Sequence, residues 1–176
     1  CYLAQMYEEG LGNLPVDEVE AFVLYQQAAE KGNGLAQCKV ADMYQSGVGV
    51  VVDSERAEYW YQRAAESGNA EAQYRFAEFE FQKAVVAESL ALSELGEGDV
   101  RFKNDYRKHM KNAVVWYEKS AGQSCSDAQY MLGRLYASGE GVRQNYGKSV
   151  QFYKEAVEQG HAEASFYLGL MVHAGL

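Results

Sequence analysis

Apolar residues recur along the chain at helical spacing, in short runs broken by paired glycines. From Ala36 to Ser46 the apolar positions Val40, Met43 and Tyr44 share one face of a helix. Gly47 stops the pattern, because glycine takes the left-handed conformation past a helix end, and Gly49 lets the chain fold back tightly. Asp53 stands where an N-cap belongs. The run after it places Ala57, Trp60, Tyr61 and Ala64 on one face of a second helix. Gly68 closes that helix and Asn69 caps the next. The predicted unit is a helical hairpin, and neither of its helices buries its apolar stripe alone.

The unit repeats. "AQCKVADMYQSGVGVVVDSERAEYWYQRAAESGNAE" from Ala36 aligns with "AQYMLGRLYASGEGVRQNYGKSVQFYKEAVEQGHAE" from Ala128. A shortened copy, "YLAQMYEEGLGNLPVDEVEAFVLYQQAAEKGNGL", precedes the first, and "ASFYLGLMVHAGL" opens another at Ala164. A further copy begins with "AQYRFAEFEF" at Ala72 and ends with "WYEKSAGQSCSD" at Asp127. One array is therefore expected over 1–176, with units 1–35, 36–71, 72–127, 128–163 and 164–176, the first and last truncated. Both termini cut a unit, so the chain is expected to be a piece of a longer protein. Hairpins that cannot bury their own stripes stack on their neighbours, which predicts an all-α fold, an α-solenoid.

The third unit is longer by about twenty residues, over 82–109. "KAVVAESLALSEL" continues the first helix without a breaker until Gly96, "GEGD" turns with Asp99 as N-cap, and "VRFKNDYRKHM" leads back. Split between two antiparallel helices, the extra length projects by roughly 15 Å at 1.5 Å per residue. Val85, Leu92 and Leu95 are expected to meet Phe102, Tyr106 and Met110, which are spaced four apart. Val86 and Leu90 lie on another face, and either rest on a neighbouring repeat or await a partner.

The recurring marks "MYEEGLG", "MYQSGVGV" and "LYASGEGV", followed by "YQQAAEKGN", "WYQRAAESGN" and "FYKEAVEQGH", resemble the Sel-one-like repeat, a relative of the tetratricopeptide repeat. The resemblance implies a right-handed α-solenoid of stacked hairpins, one of them elongated here. It also implies a binding surface or scaffold for protein partners.

Composition narrows the chemistry. A formal charge of -9 argues against general nucleic-acid binding, which needs cations to displace counterions. No apolar run reaches 18 residues, so no transmembrane helix is expected; the segment reads as soluble, with its compartment open. Three cysteines make no disulfide framework, and no Cys or His spacing suits zinc, so no metal or other cofactor is expected. Cys1 and Cys38 occupy equivalent places and read as structural, while Cys125 takes the capping position held elsewhere by Asn. His161 reads as a cap and His109 as a surface residue. The Gly-x-Gly pairs recur as turns and are not phosphate loops.

Two candidate surfaces remain. First helices of stacked hairpins line a concave face, where i, i+4 and i+7 positions point together. Those sets are Cys38, Asp42 and Gln45; Tyr74, Glu78 and Phe81; Tyr130, Arg134 and Ala137; and Gln5 with Glu8. Their variation fits a binding groove, and it also fits unconstrained surface. The elongated hairpin is the second surface, with Val86 and Leu90 as exposed apolar positions and Arg101, Lys103, Arg107 and Lys108 as a basic cluster. That cluster either pairs with Glu88, Glu94, Glu97 and Asp99 or docks an acidic partner, including an acidic face of a second copy. The leading reading is a non-enzymatic scaffold or adaptor that binds a protein or peptide. The alternatives are an inhibitor or immunity-type protein that sequesters an enzyme or toxin, a hydrolase of cell-envelope ligands, and a spacer within a longer scaffold.

Overall fold

The computed structural model describes residues 1–92 and 100–175. Among them are nine helices and no strand: α1 (Tyr2–Glu9), α2 (Glu18–Glu30), α3 (Gly34–Ser46), α4 (Ser54–Glu66), α5 (Ala70–Leu92), α6 (Val100–Ala121), α7 (Ser126–Ser138), α8 (Tyr146–Glu158) and α9 (Ala162–His173). Odd-numbered helices are the first of each hairpin and even-numbered helices the second. The chain forms two compact units, Cys1–Gln73 and Tyr74–Leu176. In the first, α1, α2, α3 and α4 pack each on the next; in the second, α6, α7, α8 and α9 do the same.

Caps set the helix starts. Asp17, Asp53 and Asn145 accept a bond from the amide three residues on at the start of α2, α4 and α8, at 3.0, 2.9 and 3.0 Å. Asn33, Asn69 and His161 cap α3, α5 and α9 in the same way, at 2.9, 2.9 and 3.2 Å. Cys125 holds the equivalent position before α7, and its side chain makes no cap bond. The second glycine of the Gly47–Gly49 and Gly139–Gly141 pairs has a tertiary reason beyond turning. A Cβ on Gly49 would lie 2.2 Å from the Glu18 carbonyl oxygen, and one on Gly141 would lie 2.3 Å from Met110 Cγ. The inter-helix turn is pressed against the second helix of the preceding hairpin, and only a residue without a side chain fits.

Consecutive hairpins are also tied by buried glutamines. Gln37, Gln73 and Gln129 each donate from Nε2 to a carbonyl eight residues back, on Ala29, Ala65 and Ala121. The bond holds the start of a first helix against the last turn of the preceding second helix, as a second hydrogen bond on a carbonyl that already accepts from the backbone amide of Gly32, Gly68 or Ser124.

The elongated hairpin exists, but its seam differs from the expected one. α5 has 23 residues and α6 has 22, against 13 in α3, α4, α7 and α8. Val85 and Leu92 are not buried in a seam; they are 40 and 81 % exposed, and Leu95 lies outside the described residues, as do Glu94, Gly96, Glu97 and Asp99. Ala77, Ala84 and Ala87 are buried instead, and Ala77 and Ala84 share the core with Met110, Ala113 and Tyr117. These alanines, seven and three residues apart, lie on one side of α5. Tyr106 packs on this core and Phe102 is half-buried. His109 is a second correction: its Nδ1 lies 3.1 Å from the buried Glu80 carboxylate, which also accepts from Asn112 at 2.8 Å.

Two substitutions check this packing. Gly133→Ala places a Cβ 2.6 Å from the Tyr153 ring. It should lower stability by about 1–2 kcal/mol in urea denaturation, despite a helix-propensity gain of up to ~1 kcal/mol. Cys125→Asn should raise stability by about 0.5–1 kcal/mol by supplying the missing cap.

Candidate functional site

The first helices present side chains whose neighbours come from the second helix of the same hairpin. A tyrosine recurs in register on each second helix: Tyr25, Tyr61, Tyr117 and Tyr153. All four are nearly fully buried. In three hairpins the hydroxyl donates to a carboxylate on the first helix. Tyr25 donates to Glu8 at 2.7 Å, Tyr61 donates to Asp42 and lies 3.1 Å from Gln45 Oε1, and Tyr117 donates to Glu78. A phenol taken out of water needs such a partner. The expected variable face is therefore partly constrained from within, because Glu8, Asp42, Gln45 and Glu78 each hold a core tyrosine.

Each unit carries a groove on this face. In the first, a groove of about 410 Å³ has buried Ala36, Cys38 and Tyr25 as its floor and exposed Tyr2 and Leu35 at its rim. Gln5, Glu8 and Asp42 line it together with Lys39 and Glu71. Lys39 Nζ lies 2.9 Å from Glu8 Oε1, and Gln5 donates to Glu9 at 2.9 Å. Burial opposes ionisation of Glu8, yet bonds from Lys39 and Tyr25 bring its pKa below the ordinary value. Burial, reinforced by Asp42 and Glu71, pushes the Cys38 thiol up to about 12, which leaves it protonated and unreactive near neutrality.

In the second unit a groove of about 410 Å³ is lined by Phe81, Met131, Arg134, Ala137, Glu140, Tyr153 and Tyr167. Tyr74 sits half-buried, its ring centroid 6.0 Å from that of Tyr117. Tyr130 stacks on His161 at 4.6 Å, and the Arg134 guanidinium lies over the Tyr130 ring at 5.9 Å. The structure thus brings Gln5, Glu8 and Asp42 to one groove, and Phe81, Arg134 and Ala137 to another.

On the elongated hairpin, Val86 and Leu90 are 57 and 44 % exposed and line a shallow cleft with Phe79, Phe102, Asp105 and His109. Arg101, Lys103, Arg107 and Lys108 are exposed on α6. Lys103 and Arg107 border a second recess with Glu88, Leu92 and Tyr106. Among the described residues, Lys103, Arg107 and Lys108 form no ion pair, whether with Glu88 or with another acid. Residues missed by the sequence reading are Tyr25, Tyr61 and Tyr117 as hydrogen-bond donors, and Lys39, Leu35 and Tyr167 as groove residues. The recurrence of tyrosine in "LYQQAA", "WYQRAA", "WYEKSA" and "FYKEAV" was the available signal.

Short helical hairpins with registered caps, glycine turns and tyrosine ties define an all-α solenoid of small repeats. The chain belongs to the Sel1 repeat family, whose model matches residues 1–33, 34–69, 90–125 and 126–161. Sel1 repeats generally mediate protein–protein interaction and are generally non-catalytic. The fold is similar to a protective antigen of uropathogenic Escherichia coli strains that displays an SLR fold, 32 % identical with a TM-score of 0.76 over 98 % of this chain and 33 % of that one. It is also similar to a Sel1 repeat protein from Oxalobacter formigenes, 28 % identical with a TM-score of 0.69 over 96 % of this chain and 60 % of that one. In sequence the chain is 28 % identical over 167 residues to chitin synthase regulatory factor 3 of Schizosaccharomyces pombe, covering 92 % of this chain and 16 % of that protein. It thus spans about a third of the antigen and about a sixth of the regulatory factor. Among the described residues no helix is long and apolar enough to cross a membrane.

The tyrosine ties predict an alkaline limit to stability. Burial, then the charge and hydrogen bond of Glu78, raises the Tyr117 phenol well above its ordinary value of 10.0, and burial followed by Glu8 does the same for Tyr25. The unfolded chain loses these protons near pH 10 while the native chain keeps them, so stability falls as pH rises above that value. Urea midpoints should drop between pH 8 and 11, and Tyr117→Phe should flatten the drop. At pH 7 the same substitution should cost about 1–2 kcal/mol, because it strips a carboxylate of its donor.

Proposed function

We propose that this chain is a non-enzymatic scaffold that binds a segment of a partner protein along its first-helix face, with the elongated hairpin as a second contact. The observation that carries this reading is the groove of the first unit. It combines an apolar floor with charged lining groups, and its volume of about 410 Å³ suits a few side chains of an extended or helical segment. Tyr2 and Leu35 are exposed beside it and offer apolar anchoring area. The Schizosaccharomyces pombe relative is a chitin synthase regulatory factor, which supports a regulatory adaptor role.

The hairpin adds a different chemistry. Lys103, Arg107 and Lys111 repeat every four residues along one side of α6, with Arg101 and Lys108 beside them. A basic stripe on an acidic chain favours an acidic partner surface and speeds its approach. Val86 and Leu90 supply apolar contact on the neighbouring arm.

The test is capture of a partner by crosslinking, followed by affinity measurement with the crosslinked segment. Leu35→Arg should weaken binding by at least tenfold. Combined Arg101→Glu, Lys103→Glu, Arg107→Glu and Lys108→Glu should lower the association rate and its salt dependence. The helical circular dichroism should persist in both. Unchanged affinity in every variant would place the partner elsewhere and overturn the reading.

A further inference from the structure

The fourth hairpin breaks the tyrosine pattern. Where the sister hairpins carry Gln5, Asp42 and Glu78, the first helix α7 carries Arg134, and one turn later Ala137 stands where Glu8 and Gln45 stand in the first two. No carboxylate among the described residues hydrogen-bonds the Tyr153 hydroxyl, although Tyr153 is only 2 % exposed. Its ring has moved onto Gly133, the position held by Ala41 and Ala77 in the preceding units, and an alanine Cβ there would strike it at 2.6 Å. Burial, with Tyr130 and Tyr167, pushes the phenol up to about 12, while Arg134 and a hydrogen bond with Ser149 pull it back; no carboxylate raises it as Glu78 raises Tyr117.

The Arg134 guanidinium is itself uncommitted. Its contacts are the Tyr130 ring at 5.9 Å and a long bond to Met131 Sδ at 3.7 Å, and it forms no ion pair among the described residues. Glu140 lines the same groove without pairing with it. Around Arg134 stand Tyr153 and Tyr167, stacked at 6.0 Å and 13°, and Tyr130, at 6.1 Å from Tyr153. A phenol donor and a forked cation meet in a groove walled by aromatic rings and Phe81, and such a pair suits a planar anion.

We infer that this groove takes an aspartate or glutamate side chain from a partner segment, its carboxylate occupying the place that Asp42 and Glu78 fill in the sister hairpins. The inference rests on the scaffold reading above and gives it a residue preference. The aromatic walls exclude water and strengthen the ion pair. The flanking Phe81 and Met131 favour an apolar residue next to the acid.

The experiment uses the 176-residue chain and fluorescein-labelled, terminally blocked nonapeptides of alanine and leucine with Glu, Asp, Gln or Lys at the centre, followed by fluorescence anisotropy. The Glu and Asp peptides should bind at least tenfold more tightly than the Gln peptide. Arg134→Gln should erase that preference, and Arg134→Glu should shift it to the Lys peptide. Tyr153→Phe should reduce it by several-fold with unchanged circular dichroism. Arg134→Glu also supplies the absent carboxylate from within, and should raise Tm by about 2–4 °C. Equal binding of Glu and Gln peptides, retained in Arg134→Gln and lost in Leu35→Arg, would overturn the carboxylate site and leave the scaffold standing. Failure of all four peptides to bind, or a lowered Tm in Arg134→Glu, would also overturn it.

Discussion

Alanine stands at most points where two helices of this chain touch. Ala4, Ala21, Ala29, Ala36, Ala41, Ala57, Ala64, Ala72, Ala77, Ala84, Ala113, Ala128, Ala156 and Ala164 have no exposed surface. A methyl group at the crossing point lets two backbones approach more closely than leucine would, and every other feature has to fit that separation. The inter-helix turn then lies so near the preceding second helix that Gly49 and Gly141 admit no Cβ. The glutamine ties from Gln37, Gln73 and Gln129 reach their carbonyls for the same reason. Large aromatic groups are buried alongside these alanines, Tyr25, Tyr61, Tyr117 and Tyr153 among them.

Those aromatics connect packing to function. A buried tyrosine brings a hydroxyl into the hairpin, and the first helix must answer it with a group on the face that also lines the groove. Glu8, Asp42 and Glu78 therefore serve the fold and set the charge of the surface at once. A surface made this way is stiff, because its polar groups are held from beneath. It is also cheaply varied, because exchanging one residue of the pair changes what the groove offers. Arg134 is such an exchange, accommodated by the shift of Tyr153 onto Gly133.

Much of this was legible beforehand. The hairpin unit, the caps at Asn33, Asn69 and Asp53, the capping role of His161 and the lengthened arms all follow from local rules, since helix periodicity and capping act within a few residues. The arm seam was not legible, because a search for large apolar side chains passes over Ala84 and Ala87 and settles on Val85 and Leu92. His109 was misjudged as well. Its neighbours in sequence, Arg107 and Lys108, are solvated, whereas its partner Glu80 lies on the opposite arm, 29 residues away. The first-helix face was located from i, i+4 and i+7 spacing, but the tyrosines beneath it were read only as apolar.

The sequence by itself determined the repeating unit, its period, its breaks and the class of fold, because short-range sterics and hydrogen bonding dictate where a helix begins, turns and ends. The tertiary structure alone decided which polar groups are spent on the core and which face solvent. That division depends on distances between residues 17 to 39 positions apart, and these distances are set by how closely alanine lets two helices approach. Asp42 and Arg134 occupy the same place in the repeat. Only the neighbouring helix shows that one closes a hydrogen bond and the other leaves it open.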